Sequence, residues 1–144
     1  FAGFYSERIL NDGKTHGYNI VEVENGQKTN LLSILGNDTQ LKIGKYYISN
    51  KGFETGKKVL EKNSTRLTVI DEVGKLELSG KGWSEPLTEL INQNKNHLIL
   101  TFRKEILNEL IEKFNIEDCT VFDVDEASSE EIRKKIVKEF TTID

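Results

Sequence analysis

The sequence predicts an α/β fold, in which a mostly parallel sheet is covered by helices and preceded by an antiparallel β meander in the N-terminal third. Three observations carry this. Leu67–Asp71, His97–Phe102 and Cys119–Val124 are short apolar runs of the kind that parallel strands buried on both faces require. Around them, apolar residues recur at helical spacing. Residues 1–50 instead break into short β-rich runs punctuated by turn residues.

Each element follows from its own residues. Ala2-Gly-Phe-Tyr-Ser6 reads as the first strand and Asn11-Asp12-Gly13 as a turn. Tyr18–Val23 reads as the next strand, with Tyr18 and Ile20 in one phase and Val21 and Val23 in the other, which leaves its inward face open. Asn25-Gly26 is a strong hairpin signal, and Thr29–Leu35 and Lys45–Ile48 continue the meander around the Gly36-Asn-Asp38 cluster. A helix is expected over Phe53–Lys62, weakened by Gly56. Leu67–Asp71 is the first buried strand of the second half. Trp83, Leu87, Leu90 and Ile91 then share one helical face, with Pro86 in the first turn. His97–Phe102 is a second buried strand, followed by the helical stripe Ile106, Leu107, Leu110, Ile111 and Phe114. Cys119–Val124 is a third strand. Ser128 and Glu131 have capping-box spacing and lead into Ile132, Ile136, Val137 and Phe140. No internal repeat or low-complexity segment interrupts this order.

The 144 residues suit a single domain over 1–144, large enough to bury a core. With 36% apolar and 31% charged residues the composition is globular, and no window approaches the roughly 18 apolar residues of a membrane span. A net charge of −4 disfavours a broad electrostatic grip on nucleic acid. One cysteine, Cys119, excludes an internal disulfide and fits a reducing cytoplasm; at the start of an expected strand it reads as a small buried hydrophobe. With only His16 and His97 beside it, the chain has too few soft ligands for a zinc site. The opening Phe1 in place of Met suggests a fragment.

In open α/β sheets ligands bind beyond the carboxyl ends of the strands. The polar residues expected there are Asp71-Glu72, Thr101 with Arg103, and Asp123 with Asp125. Phosphoryl transfer to water needs Mg²⁺ to neutralise phosphate charge and a group that orients the attacking water. An Asp at a strand tip can hold the metal through its water shell, and a following Glu can polarise the water: the Walker B pattern. The plainer reading is a buried strand that ends in two solvated acids.

The continuation carries a resemblance. Val69-Ile-Asp-Glu-Val-Gly-Lys-Leu-Glu-Leu78 resembles the "VIDEIGKMEL" signature of the cancer-related and thermophile nucleoside-triphosphatase family, with Val73 for Ile and Leu76 for Met. Gly3-Phe-Tyr-Ser-Glu7 resembles the family's Gly-Phe-Tyr/Trp-Thr-Glu segment. Gly17–Ile20 and Ile43–Tyr46 resemble its Val-Gly-Phe-x-Ile and Val-Gly-Lys-Tyr stretches, and Leu100–Arg103 stands where it has Ala-Thr-Val-His-Arg. The resemblance implies a P-loop NTPase-like three-layer sandwich that hydrolyses ATP, GTP and other nucleoside triphosphates with Mg²⁺. It implies that Asp71 positions the metal and Glu72 activates water. It makes Arg103 a second catalytic candidate, and Lys75, Glu77 and Glu7 candidates for contacting the nucleotide. Arg103 is equally readable as a solvated residue beside Lys104, Lys75 as a loop cation paired with Glu77, and Glu7 as a strand-end acid.

The family also begins with a strand, a Gly-x-x-Gly-x-Gly-Lys-Thr loop and a helix, and these residues hold no such loop. Gly52-Phe-Glu-Thr-Gly56-Lys57-Lys58 imitates it, but its glycines are too close and no hydroxyl follows Lys57. Asp71 and Glu72 alone cannot hold a nucleotide tightly. The domain therefore reads as truncated at its N-terminus, short of the roughly 25–35 upstream residues of a complete P-loop unit. A partner segment or self-association is the other way to fill the strand's place. The first functional expectation is thus a nucleoside-triphosphate hydrolase, inactive as the bare chain. A non-catalytic nucleotide-binding or regulatory module and a kinase on the same core are the alternatives.

Overall fold

The computed structural model describes residues 1–62 and 67–142. One seven-stranded sheet runs through it, built from β1 (Ala2–Asn11), β2 (Lys14–Glu22), β3 (Lys28–Ser33), β4 (Lys42–Ile43), β5 (Tyr46–Ile48), β6 (Leu67–Ile70) and β7 (His97–Leu100). Their order across the sheet is β4-β5-β3-β2-β1-β6-β7. The pairings β1–β2, β2–β3, β3–β5 and β4–β5 are antiparallel, as expected of a meander. Those of β6 with β1 and with β7 are parallel. The α/β fold is the expected one; the sheet, expected to be mostly parallel, is mixed, because the meander joins it through the parallel pairing of β1 with β6. The helices are α1 (Asn50–Leu60), α2 (Lys75–Leu78), α3 (Ser84–Gln93), α4 (Leu107–Lys113, after a 3₁₀ turn at Lys104–Ile106) and α5 (Ser129–Thr142).

β1 and β2 run longer than their apolar residues suggest, because the turn at Asp12 and Gly13 (φ 50° and 73°) lets the hairpin pair to its tip. Helix α1 starts earlier than expected, since Ser49 caps it and its Oγ accepts the Gly52 N–H at 2.9 Å. Gly56 lies inside α1, where a Cβ would collide with the Trp83 ring, and Gly52 lies against the β3 backbone. The Gly52–Lys58 run is thus a helix packed on the core and not a phosphate loop.

Phe4, Ile20, Leu31 and Ile70 of the sheet form one core with Val59 and Leu60 of α1, Trp83, Leu87 and Leu90 beside or on α3, and Leu110 and Phe114 of the α4 region. Trp83 stacks between Phe4 and Phe53, at centroid distances of 4.8 and 4.7 Å. On β6 the two faces are unequal. Thr68 and Ile70 are buried, whereas Leu67 and Val69 are only half-buried.

The sharpest departure from expectation lies at residues 119–124. Cys119–Val124 forms no strand, Val121 and Val124 are 52% and 78% exposed, and Cys119 is exposed where a buried thiol was expected. A parallel strand exists only through a neighbour's hydrogen bonds. Among the described residues β7 ends the sheet, and this run does not pair with it. Helix α5 follows its capping box, in which Ser128 Oγ accepts the Glu131 N–H at 3.2 Å. No described residue of α5 is buried, although Phe140 meets His97 of β7 edge-on at 5.2 Å.

Candidate active site

The parallel register sets the site. Phe4 pairs with Ile70 and Ile70 with Leu100, so β1, β6 and β7 reach the same level, and Asp71 emerges between the other two. One Asp71 oxygen accepts the Ser6 backbone N–H at 2.8 Å, and the other accepts the Thr101 hydroxyl. The carboxylate is therefore aimed from both neighbouring strands. A carboxylate offers about four acceptor positions; two are taken, and Asp71 remains half-exposed.

Glu72 is exposed and has a left-handed backbone (φ 58°), a conformation that costs a non-glycine residue about 1–3 kcal/mol. The chain turns sharply here because Thr101 grips it. The Glu72 N–H donates to Thr101 Oγ1 at 2.8 Å, the Val73 N–H to the Thr101 carbonyl at 2.9 Å, and the Thr101 N–H to the Ile70 carbonyl at 3.2 Å. Val73 is then buried while the Glu72 side chain is left in solvent.

The other candidates separate into two groups. Lys75, first residue of α2, and Arg103, two residues beyond Thr101, are exposed on the loops that follow β6 and β7, and neither has an ion pair among the described residues. Glu77 and Glu7 are otherwise engaged. Glu77 is 4% exposed; its two oxygens accept the Gly74 N–H at 2.8 Å and the Trp83 N–H at 3.2 Å, which ties the Gly74–Trp83 loop to the core. Burial pushes its carboxyl up, and the two backbone donors offset this only in part. Lys75 does not pair with it. Glu7 turns toward the meander, 2.6 Å from Lys28 Nζ and 3.5 Å from Asn19 Nδ2, and the Lys28 hydrogen bond lowers its pKa.

No group of three or more His, Cys, Asp or Glu side chains among the described residues could hold a metal. That donor set does not suit a protein-caged ion. The half-exposed Asp71 carboxylate, with acceptor positions left open, would fit Mg²⁺, which keeps most of its waters and takes one or two carboxylates plus substrate phosphates. The sequence reading did not select Ser6, and it placed Thr101 at a strand end without giving it a role. Ser6 acts through its backbone, which leaves no sequence signal; Thr101 stood out as a strand-end hydroxyl.

An α/β sheet with two adjacent acids at the end of a parallel strand defines the class. Within it, a family model described as NTPase matches residues 1–137, and the chain belongs to that family. The nucleoside-triphosphatase THEP1 of Thermotoga sp. (strain RQ2) is 27% identical over 140 residues, covering 94% of this chain and 78% of that protein. That of Methanocaldococcus jannaschii is 29% identical over 141 residues, with 94% and 79% covered. The fold is shared with the solution structure of a human cancer-related nucleoside triphosphatase (TM-score 0.69, 23% identity, 95% of this chain and 79% of that one). It is also shared with THEP1 from Aquifex aeolicus (TM-score 0.59, 21% identity, 80% and 68%).

Proposed function

We propose that this chain is the body of a Mg²⁺-dependent hydrolase that splits noncovalently bound nucleoside triphosphates, ATP and GTP among them, into diphosphate and phosphate. The observation that carries the proposal is the adjacent pair Asp71 and Glu72, the first held on both oxygens and the second exposed just past the end of a buried parallel strand. Mg²⁺, when bound, supplies neutralisation of the triphosphate charge. Asp71 is the residue that would hold it, through free acceptor positions and water. Glu72, with its carboxylate in solvent, orients the attacking water and takes up its proton. Arg103 and Lys75, without an ion pair among the described residues, offer positive charge from the neighbouring loops for the phosphate oxygens. Glu77 acts indirectly, by fixing the loop on which Lys75 stands.

The triphosphate itself needs a cradle of backbone N–H groups. The edge of β7, free among the described residues, and the uncovered Cys119–Val124 run support a completing strand between them, parallel to β7, whose end would lead into a glycine-rich loop at the same end of the sheet as Asp71. Supplied in the same chain or by a partner, that unit makes the site competent; without it the chain does not turn over. A strand from a second copy of this chain is the other way to fill the edge.

The test is phosphate release with Mg²⁺ and ATP or GTP, with and without a strand–loop–helix segment joined ahead of Phe1. The proposal expects release only with the segment. No release from either form, with nucleotide bound, would favour the non-catalytic reading.

A further inference from the structure

One hydroxyl joins the two acids. Thr101 Oγ1 donates its single proton to Asp71 and accepts the N–H of Glu72 at 2.8 Å. A threonine hydroxyl has one donor and two acceptor positions, and the Asp71 carboxylate can only accept, so the proton's direction is fixed by its partners. The backbone of the same residue adds the bonds to Ile70 and Val73 on either side of the pair. The segment from Ile70 to Val73 is thus held at each residue by Thr101, twice through a side chain that a substitution can remove without disturbing the other two bonds. The left-handed Glu72 needs such a hold, since its backbone has no glycine to relieve it (φ 58°).

We infer that Thr101 is a positioning residue for both acids, its hydroxyl setting the Asp71 carboxylate and the Glu72 backbone as a unit. A metal drawn to Asp71 and a water held by Glu72 then keep a fixed separation, which a transition state spanning both requires. A purely structural strand-end threonine would affect stability alone. A positioning hydroxyl also governs kcat and the Mg²⁺ requirement while leaving nucleotide affinity in place. The kinetic consequence rests on the hydrolytic reading; the geometric one does not.

The experiment compares Thr101→Val, which keeps the shape, with Thr101→Ser, which keeps the hydroxyl. In the chain as it stands, amide hydrogen exchange should quicken at Glu72 by roughly 10- to 100-fold in Thr101→Val, the loss of a hydrogen bond in a charged network. Val73, bonded to the Thr101 carbonyl, should change little, and Thr101→Ser should match wild type at both. Where the segment-bearing form turns over, Thr101→Val should lower kcat by a similar roughly 10- to 100-fold factor and raise the half-saturating Mg²⁺, with KM for nucleotide nearly constant. Thr101→Ser should restore both. Wild-type exchange at Glu72 in Thr101→Val overturns the inference, as does wild-type kcat. If Thr101→Val does not fold, Thr101→Ala carries the same expectations. A wild type that never hydrolyses would sink the hydrolytic reading instead, and the exchange comparison would still decide the role of the hydroxyl.

Discussion

The meander and the parallel end of the sheet are made of similar residues but differ in how complete they are. From β1 to β5 each strand pairs antiparallel with one close to it in sequence, and the β1–β2 hairpin pairs to its tip. From β6 onward each pairing joins strands distant in sequence. There, among the described residues, β7 keeps an open edge, Cys119–Val124 pairs with no strand, and α5 buries none of its side chains. The contrast teaches that a hairpin carries its own neighbour, whereas a parallel strand borrows one. The candidate site lies at the junction: Ser6 from the antiparallel half and Thr101 from the parallel half hold the same carboxylate.

Mutations can sharpen or break this contrast. The largest effect is expected at Ile70, which is fully buried in the finished part of the parallel region (0% exposed). Ile70→Ala should cost about 2–5 kcal/mol in a urea titration. At Val124, 78% exposed, Val124→Ala should change stability by no more than about 0.5 kcal/mol. A large loss at Val124 in the bare chain would mean that the C-terminal run is already packed, and the contrast would fail.

A smaller effect concerns Glu77. Its carboxyl is held above the ordinary value of 4.5, so the folded chain keeps that proton more tightly than the unfolded chain does. Its stabilisation is full below the unfolded value and is lost as pH rises through the higher folded one. Glu77→Gln cannot titrate, so its deficit relative to wild type should narrow as pH rises above 4.5. A deficit that widens over the same range would show that the ionised form is the favoured one.

Much of this was legible in the residues. The turn at Asp12-Gly13, the apolar stripes of α3 and α4 and the strand Leu67–Ile70 are local patterns, and they fold as they read. Cys119–Val124 reads equally well as a strand, but strand formation there depends on a neighbour that its own residues do not encode. The acid pair at the strand tip was legible from Leu67-Thr-Val-Ile-Asp71-Glu72. The grip of Thr101 was not, because it follows from Ile70 standing level with Leu100, a register that periodicity leaves undetermined. Glu77 looked like a third acid for the nucleotide. Its spacing to Gly74 is also that of a helix N-terminal acid bonding back to the start of its helix, and the structure uses it so.

Glu72 is where the proposed chemistry is most directly tested. In the segment-bearing chain, Glu72→Gln should lower Mg²⁺-dependent phosphate release by roughly 100-fold or more, while nucleotide binding stays within a few-fold of wild type. Undiminished release from Glu72→Gln would remove that carboxylate from the chemistry and leave the acid pair a solvated strand end.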